Sequence, residues 1–407
     1  SALFRNTRGA FGSDLADAKR LSEVGLVSGA VFSDLNGDGF PELILACDWG
    51  PVRVFRNDRG NLIEATRELG LADFKGWWNG VTTGDFDGDG NLDIAASNWG
   101  RNTKYERHRQ QPLRVYFGDF DGDGTEDIIE AYYDAGTEKI VPVRQLEALG
   151  RAMPPLRERF PTNQSFAEAG VEELLGVRPK AAEFWEANWL ESTVFLNRGD
   201  RFEARPLPVE AQFAPAFGVS VGDCDGDGRE DIFLSQNFFA VTQETPRHDA
   251  GRGLWLRGDG KGGWVAVSGQ ESGVMVYGEQ RACALGDFDN DGRVDLVVTQ
   301  NEAPTKLFRN RGARPGLRVR LKGPDSNPNG IGATLRLVRG SRMGAAREIH
   351  AGSGYWSQDS AVQVMASAES PTRLWVRWPG GKTVLADIPA DAREISVDTS
   401  GRLTVVH

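Results

Sequence analysis

The sequence predicts an all-β protein made largely of repeated β-hairpins. Three observations support this class: an aspartate-rich stretch of nine residues occurs five times, a short apolar run follows most copies, and a second strand of the type Val-Phe-Arg-Asn also recurs. Short apolar runs bounded by turn residues are typical of buried strands. Repeated units of two hairpins are typical of the four-stranded blades of a β-propeller. We expect a propeller rather than a solenoid, because no segment resembles a terminal cap.

The five aspartate-rich stretches are numbered loops 1 to 5 and occupy residues 34–42, 85–93, 119–127, 223–231 and 287–295. Positions 1, 3, 5 and 9 carry side-chain oxygens and position 7 can add its backbone carbonyl, which together form an oxygen set suited to Ca²⁺. Position 6 is always glycine and position 4 is glycine or Asn290, residues that turn at positive φ. The sequence therefore predicts about five Ca²⁺ ions. The predicted metal ligands are Asp34, Asn36, Asp38, Phe40, Glu42, Asp85, Asp87, Asp89, Asn91, Asp93, Asp119, Asp121, Asp123, Thr125, Asp127, Asp223, Asp225, Asp227, Arg229, Asp231, Asp287, Asp289, Asp291, Arg293 and Asp295.

The surroundings of the loops separate them from EF-hands. An EF-hand needs a bidentate glutamate at position 12 and a helix on each side. Position 12 is a glutamate in loop 3 alone, at Glu130, and the flanking runs are β-like. Each loop is therefore expected to close a strand–loop–strand hairpin, with its last acid at the start of the second strand. Glu126 and Glu230, at position 8, are expected to point to solvent.

The second repeated element is a strand followed by a turn. Its copies lie at 3–6, 54–57, 194–199, 254–260 and 307–312. A further short strand follows most copies, so that two hairpins make one unit. We expect the copy at 3–6 to pair with strands of the C-terminal repeat and to close the ring.

Two regions depart from the hairpin pattern. Residues 134–190 contain good helix formers at helical spacing and predict a helical insertion. Such an insertion could carry recognition or could cover a hydrophobic blade edge. From residue 316 onward, alternating polar and apolar residues predict a small antiparallel β-domain. The predicted domains are a propeller at 1–315, which includes the insertion, and a β-domain at 316–407.

The acidic charge of the chain fits the predicted metal sites. The 407 residues carry a net charge of −11, which five Ca²⁺ ions would bring close to neutral. No basic patch with interleaved aromatic residues stands out, so nucleic-acid binding is not expected. No run approaches the roughly 18–20 apolar residues of a transmembrane helix, so no transmembrane segment is expected.

The cysteines do not predict a disulfide framework. Cys47, Cys224 and Cys283 are odd in number and widely spaced, so buried free thiols are expected, with a disulfide or a reactive thiol as the alternative. Calcium would then act as the cross-link, and the millimolar calcium found outside the cytoplasm could fill sites of modest affinity. We therefore expect a secreted, periplasmic or cell-surface protein. No signal peptide is visible, and we expect the numbering to begin after a removed leader.

The loops and the tail resemble known families. The aspartate-rich hairpins resemble the FG-GAP/VCBS repeats of bacterial surface proteins and are similar to the calcium-bearing blades of integrin α-subunits. The tail resembles the ASPIC/UnbV domain through Asn-Gly-Ile-Gly-Ala at 329–333, Gly-Ser-Gly-Tyr-Trp-Ser-Gln at 352–358 and Trp-Pro-Gly-Gly at 378–381. This resemblance implies a seven-bladed propeller with calcium in its blade loops and a secreted or surface address. It implies no reaction.

Few residues suggest catalysis or recognition. The four histidines form no metal-binding spacing, and the only acid–base candidates are Tyr132 and Tyr133 with His108. Tryptophans beside Asn or Asp occur at 48–50, 76–80 and 98–100. They suit sugar or peptide recognition, and they would equally suit packing between blades.

Two functions remain open. The first is a non-enzymatic, calcium-stabilised binding, adhesion or surface-assembly module, with a protein or glycan ligand at the cell surface, working alone or as a subunit of a larger assembly. The second is a carbohydrate-active enzyme, such as a lyase or dehydratase, on the same scaffold. An enzyme would need a polar cleft with a base near a metal. The first function needs fewer assumptions, and the sequence favours it.

Overall fold

The computed structural model describes residues 3–7, 9–13, 19–109, 111–176, 182–242, 245–367 and 369–406. These residues form thirty-one strands and a few short helices, which confirms the predicted all-β class. None of these helices is both long enough and apolar enough to cross a membrane. The repeated hairpins form five sheets, numbered so that sheet 1 carries loop 1 and so on to sheet 5.

Sheets 1, 2, 4 and 5 share one hairpin design. Each loop joins the first two strands of its sheet, and the residue before the loop pairs with the acid at position 9, as Gly84 pairs with Asp93. The predicted hairpin, with the last acid opening the second strand, is confirmed. The strands are Leu26–Ser33, Glu42–Pro51, Arg53–Asp58, Asn61–Glu64 and Lys75–Trp77 in sheet 1; Gly80–Gly84, Asp93–Ser97, Thr193–Asn197 and Phe202–Pro206 in sheet 2; Ala216–Gly222, Asp231–Gln236, Leu254–Gly258 and Trp264–Val267 in sheet 4; and Glu279–Gly286, Asp295–Asn301 and Ala303–Phe308 in sheet 5.

Sheet 3 is inserted in the middle of sheet 2. It lies in sequence between two strands of sheet 2 that pair with each other, Asp93–Ser97 and Thr193–Asn197. Its strands are Leu113–Gly118, Asp127–Asp134, Lys139–Pro142 and Glu183–Ala187. The helices of the predicted insertion are Leu146–Ala152, Pro155–Arg159, Asn163–Ala167 and Val171–Leu175. They pack against one apolar face of sheet 3, so the segment 134–190 is helical in its middle and extended at both ends.

Sheets 1, 2, 4 and 5 pack side by side in that order. Their first strands are neighbours, and a separate apolar core fills the space between each sheet and the next. The second strands of sheets 2 and 4, Asp93–Ser97 and Asp231–Gln236, are buried along their whole length. A strand that is buried on both faces needs a continuous apolar run, which explains the short runs after the loops.

The predicted ring closure by the N terminus is wrong. Phe4–Thr7 pairs with Ala10–Ser13 and, within the described ranges, with no strand of the C-terminal repeat. The first strand of the chain therefore forms a local hairpin. No closed propeller is seen in the described part of the chain, and seven blades remain a prediction. The repeated region also contains isolated helical turns at Glu106–His108, Val209–Gln212 and Gly269–Ser272.

The residues that follow form two further sheets, here named the C-terminal sheet pair. They enclose a core of apolar side chains that includes Val319, Leu335 and Ile395. The strands are Leu317–Lys322, Gln363–Met365, Glu394–Asp398 and Leu403–Val405 in one sheet, and Thr334–Arg339, Arg342–Met343, Arg347–Glu348, Arg373–Arg377 and Thr383–Asp387 in the other. Leu317–Lys322 and Glu394–Asp398 run parallel, whereas the remaining pairs are antiparallel, as expected. A domain boundary at residues 315 and 316 remains a prediction.

A glycine-rich segment of the C-terminal sheet pair, residues 352–357, reaches between sheets 2 and 4. Gly354 exchanges backbone hydrogen bonds of 2.8 and 3.2 Å with Val81. Gly354 has φ of +63°, and an added Cβ there would overlap the backbone of Val219. Glycine is therefore required at this position, because the backbones of three segments meet there.

Candidate functional site

The five loops share one backbone conformation. Every residue at positions 4 and 6 has positive φ, from 64° at Asn290 to 95° at Gly90, which confirms the expected left-handed turns. The backbone N–H of position 6 donates to the carboxylate of position 1 in all five loops, at 2.8 to 3.1 Å. The backbone N–H of position 7 donates to position 5, at 2.7 to 3.0 Å. These bonds fold each loop around its own acids.

The acid at position 9 connects each loop to its sheet through hydrogen bonds. In loop 2, Asp93 accepts from the N–H of Phe86 at 2.9 Å and from the N–H of Asn197 at 2.7 Å. Asn197 belongs to the second repeated element, and Asn310 plays the same part beside Asp295 in loop 5. This role of the asparagines was not predicted from the sequence. The recurrence of asparagine at the end of the Val-Phe-Leu-Asn and Leu-Phe-Arg-Asn strands was the available signal.

Loops 2 to 5 bring acids together closely enough to hold a metal ion. In each of them, one oxygen from each of three carboxylates lies within 4.8 Å of the others. The groups are Asp85, Asp87 and Asp93; Asp119, Asp121 and Asp127; Asp223, Asp225 and Asp231; and Asp287, Asp289 and Asp291. Loop 1 forms no such group among the described residues, because Asn36 stands at position 3 and its amide donates to Asp38 and Glu42 at 3.1 Å.

Buried oxygens without a hydrogen-bond partner show that a cation would fit loops 1, 2 and 5. Within the described residues, the buried Oδ1 atoms of Asp34, Asp85, Asp87 and Asp289 have no donor. Burial raises the pKa of Asp85 to about 6 and that of Asp93 to about 8. Buried carboxylates that share a site need a compensating charge, and a hard divalent cation bound by oxygen atoms supplies it.

The C-terminal sheet pair places positive charge on loops 1 and 2. Arg377 lies 2.9 Å from the carboxylate of Asp34 and donates to the carbonyl of Gly37 at 3.0 Å. In loop 2 the backbone N–H of Ala346 donates to Asp85 at 2.7 Å. The guanidinium of Arg336 lies against Gly90, where an added Cβ would collide with it. The C-terminal sheet pair thus covers the acids at position 1 of loops 1 and 2.

Loops 4 and 5 receive arginines in the same way. Arg318 donates to the carboxylate of Asp287 and, at 2.5 Å, to the amide oxygen of Asn290. The guanidinium of Arg347 donates to both carboxylate oxygens of Glu230, at 2.8 and 2.9 Å. The expectation that Glu230 points to solvent is wrong: its residue is 3% exposed, because the C-terminal sheet pair covers it.

Loop 3 differs from the other four loops. Asp119 and Glu126 are exposed, the latter as expected, and no acid of loop 3 forms an ion pair with any described residue. The loop lies on the inserted sheet 3 and has no arginine of the C-terminal sheet pair beside it. Loop 3 is thus a candidate metal site that is open to solvent.

A buried polar network lies where the C-terminal sheet pair meets sheets 1 and 2. Ser33 donates to Glu348 at 2.5 Å, and Thr83 lies 2.8 Å from Ser33 and 3.0 Å from the ring of His350. The adjoining cavity has a volume of about 30 Å³, room for roughly one water molecule. Its size suits an internal contact and excludes a substrate.

The aromatic candidates lie partly in the core and partly at a cavity. Trp78 is fully buried in the core, as the packing interpretation predicted, whereas the tryptophans at 49, 77 and 99 converge on one cavity. The rings of His108 and Tyr132 stack 3.7 Å apart, and Tyr133 has no part in this stack.

The three cysteines are free, as expected, and burial raises the pKa of the Cys47 thiol to about 12. A thiol with so high a pKa is a poor nucleophile.

Two family models match the chain. One, described as an FG-GAP-like repeat, covers residues 34–96, which include loops 1 and 2. The other, described as ASPIC and UnbV, covers residues 323–401. The chain carries an FG-GAP-like repeat and an ASPIC and UnbV domain. These matches confirm the resemblance drawn from the sequence. The ASPIC and UnbV domain lies within the C-terminal sheet pair and contributes Arg336, Arg347 and Arg377 to the loop contacts.

Curated relatives are distant and longer. The chain is 23% identical over 303 residues to cartilage acidic protein 1 of Mus musculus, which covers 72% of this chain and 43% of the relative. It is 24% identical over 291 residues to the Homo sapiens protein, with 69% and 40% covered. The chain thus spans less than half the length of these relatives.

Solved structures resemble the chain weakly. The BP39L lectin from Burkholderia pseudomallei aligns with a TM-score of 0.27 at 11% identity, over 93% of this chain and 98% of the lectin. The exotype rhamnogalacturonan lyase YesX aligns with a TM-score of 0.20 at 12% identity, over 90% and 75%. Likenesses at these TM-scores carry no argument about fold or function.

Proposed function

We propose that the protein is a calcium-stabilised binding module that works outside the cytoplasm and has no enzymatic activity of its own. The observation that carries the proposal is the shared geometry of the loops, with carboxylates gathered in loops 2 to 5 and, in loops 1, 2 and 5, buried carboxylate oxygens at position 1 or 3 that have no donor among the described residues. Calcium bound by the predicted ligands would supply the missing positive charge and fasten two strands of each sheet together.

The proposal extends to the rest of the molecule. Sheets 1, 2, 4 and 5 would serve as blades of a propeller-like body at residues 1–315, for which seven blades are the expectation, and residues 316–407 would form the domain that covers the loops. The millimolar calcium of a secreted, periplasmic or cell-surface location suits sites of modest affinity. The partner would be a protein or a glycan, bound by one chain or by a larger assembly.

The alternative of a carbohydrate-active enzyme has no specific support. Such an enzyme would need a base within reach of a metal in a polar cleft. His108 and Tyr132 stack on each other, and burial is the largest cause that lowers the pKa of His108. The cavity beside His350 has room for roughly one water molecule. The geometry therefore favours the binding module.

Metal counting and thermal unfolding test the proposal. Purified full chain would be equilibrated with excess Ca²⁺, its bound metal counted by native mass spectrometry, and its unfolding followed before and after chelation. We expect about five ions per chain and a large fall in the melting temperature on chelation. Binding to the folded state alone stabilises by about 2.7 kcal/mol per site at a hundredfold excess over Kd.

A matched pair of variants locates the metal. Asp87→Asn removes the charge of a position 3 acid in loop 2, whose Oδ1 is buried without a donor in the described residues, and we expect it to lose one ion. Asp200→Asn changes an acid whose side chain is 79% exposed and lies outside the loops, and we expect no loss. Fewer than three ions in the unaltered chain, or a melting temperature unchanged by chelation, would refute the proposal.

A further inference from the structure

A cavity of about 320 Å³ lies at the end of the sheets opposite the loops. The second strands of sheets 1 and 2 run away from their loops toward it. Trp49 lies near the end of the first of these strands, Trp99 follows the end of the other, and Trp77 precedes the first strand of sheet 2. Tyr105, from the segment that leads into sheet 3, forms another part of the wall. Several elements thus supply aromatic side chains to one small space.

The rings form a connected wall. The ring centre of Trp77 lies 4.7 Å from that of Trp49, 5.0 Å from that of Trp99 and 4.9 Å from that of Tyr105, each pair close to perpendicular. Trp77 is 6% exposed, whereas Trp49 and Trp99 are half-buried and border the opening. Perpendicular neighbours hold one another in place, so the wall is rigid before any ligand arrives.

Polar groups line the same cavity. The hydroxyl of Tyr105 donates to Glu130 at 3.0 Å, which leaves the other carboxylate oxygen of Glu130 as an acceptor. The lining also includes the cationic side chains of Lys104 and Arg144 and the hydroxyls of Thr242 and Thr245. The cavity therefore offers both donors and acceptors to a ligand.

We propose that this cavity binds a saccharide unit. A pyranose ring presents apolar C–H faces that stack on aromatic rings, and each of its hydroxyls is both a donor and an acceptor. Its hydroxyls would donate to Glu130 and accept from Lys104 and Arg144. The volume is within the range of small-molecule sites, at the lower end. This inference rests on the proposed function as a binding module and specifies the chemistry of its ligand.

An organic cation is the main competing ligand, since aromatic walls with nearby carboxylates also bind quaternary ammonium groups. The cavity is lined by the cationic side chains of Lys104 and Arg144 as well as by the acids Asp48 and Glu130, so it has no excess of negative charge to attract a cation. The cationic donors favour a neutral ligand rich in hydroxyls.

Binding would be tested with the calcium-loaded full chain. The protein would first be applied to an array of immobilised mono- and oligosaccharides, and each saccharide that retains it would be titrated while tryptophan fluorescence is recorded. Choline chloride would be titrated in the same way, and the protein would also be applied to an immobilised random peptide library. We expect saturable binding of at least one saccharide, and no response to choline. Absence of any saccharide binding, or tighter binding of choline or of a peptide, would overturn the inference.

Three variants test the stacking. Trp99→Ala removes the ring and should weaken binding about tenfold or more. Trp99→Phe keeps a smaller aromatic ring and should weaken binding less than Trp99→Ala does. Trp185→Ala removes a tryptophan from the outer strand of sheet 3, away from the cavity, and should leave the affinity unchanged. Equal affinity for the chain with Trp99 and for Trp99→Ala would overturn the inference.

Calcium content and melting temperature of each variant distinguish the two hypotheses. A chain that keeps its ions and its calcium-dependent melting yet binds no saccharide contradicts the saccharide inference alone. A chain that binds a saccharide but takes up no calcium contradicts the calcium-stabilised scaffold and supports the cavity.

Discussion

At the scale of single residues, the stability of the fold depends on the ion pair between Arg347 and Glu230. Both side chains are largely buried, at 12% and 3% exposure, and the pair lies between loop 4 and the C-terminal sheet pair. Burial raises the pKa of Glu230 despite the attraction of the guanidinium. Two buried charges stabilise the fold only as long as both are present, because either one alone lacks solvation.

Replacing Arg347 should therefore be costly. For Arg347→Met we expect a loss of about 3–5 kcal/mol in the free energy of unfolding, because Glu230 remains buried without its partner. Arg339→Met is the control: its ion pair with Glu369 is more than half exposed, so we expect a loss below about 1 kcal/mol. Denaturant unfolding of both variants in calcium measures the difference. Equal losses would contradict the assignment of Glu230 as a buried, paired acid.

The carboxyl of Asp48 gives a pH-dependent test. Burial raises its pKa from the ordinary value of 3.8 to about 7, and the nearby Glu130 raises it further. The folded chain keeps this proton up to about pH 7, whereas the unfolded chain releases it near pH 4. The contribution of Asp48 to stability therefore falls as the pH rises from about 4 to 7 and is constant above that range.

Asp48→Asn should remove this pH dependence. The variant should gain stability relative to the unaltered chain across pH 4 to 7, by an amount on the order of 4 kcal/mol. The difference in unfolding free energy between the two chains, measured at each pH, isolates the single group because all other acids are common to both. A difference that stays flat with pH would show that the carboxyl is ionised in the folded chain.

The sequence could predict the loop acids but not the residues that cover them. Nine contiguous residues define each loop, so spacing alone identified positions 1, 3, 5 and 9. Arg377 and Asp34 are 343 positions apart in the printed sequence, and no local pattern links them. For the same reason the burial of Glu230 could not be predicted, since its partner Arg347 lies 117 positions further along the chain.

At the scale of elements, the segment 352–357 brings the backbone of the C-terminal sheet pair into contact with two of the repeated sheets. Its Gly354 bonds to Val81 in sheet 2 and lies against Val219 in sheet 4. An added methyl group has no space there, and the positive φ disfavours any other residue. The segment was recognised from the sequence only as a family motif, because its neighbours are set by the tertiary fold.

Gly354→Ala should destabilise the chain by about 2–4 kcal/mol, through strain at positive φ and overlap with the backbone of Val219. Gly340→Ala provides a matched control, because Gly340 has a similar φ of +58° and nothing within 4 Å of an added Cβ. Strain alone should then cost roughly 1–2 kcal/mol. Thermal unfolding in calcium compares the two, and equal shifts would show that residue 354 has more space than its contacts indicate.

At the scale of the whole molecule, sheet pairing over long distances limited what the sequence could show. The hairpins that carry the loops are local and were predicted correctly. The insertion of sheet 3 between two paired strands of sheet 2 was not predicted, because Ala95 and Val194 pair across 98 intervening residues of the printed sequence. The order of the strands within a sheet is set by tertiary contacts that a hydrophobic pattern does not contain.

The contacts of the C-terminal sheet pair with four loops make the folded body cooperative in our interpretation. Loops 1, 2, 4 and 5 each lie between a sheet and this pair, and arginines or a backbone N–H of the pair reach their acids. Loss of calcium would leave groups of carboxylates close together and repelling one another. Chelation should therefore weaken all four contacts at once, whereas loop 3, which the pair does not reach, should be affected only locally.

Scanning calorimetry should show this coupling directly. With excess Ca²⁺ we expect a single unfolding transition whose calorimetric and van't Hoff enthalpies agree, as for a two-state unit. After chelation we expect two transitions, because the C-terminal sheet pair keeps its own apolar core and can remain folded when its contacts with the loops are lost. Asp119→Asn in loop 3 should keep the single transition in calcium, since no described residue of the pair contacts that loop. Two transitions in excess Ca²⁺ would show that the buried ion pairs do not couple the two parts, and one sharp transition after chelation would show that they do so without the metal.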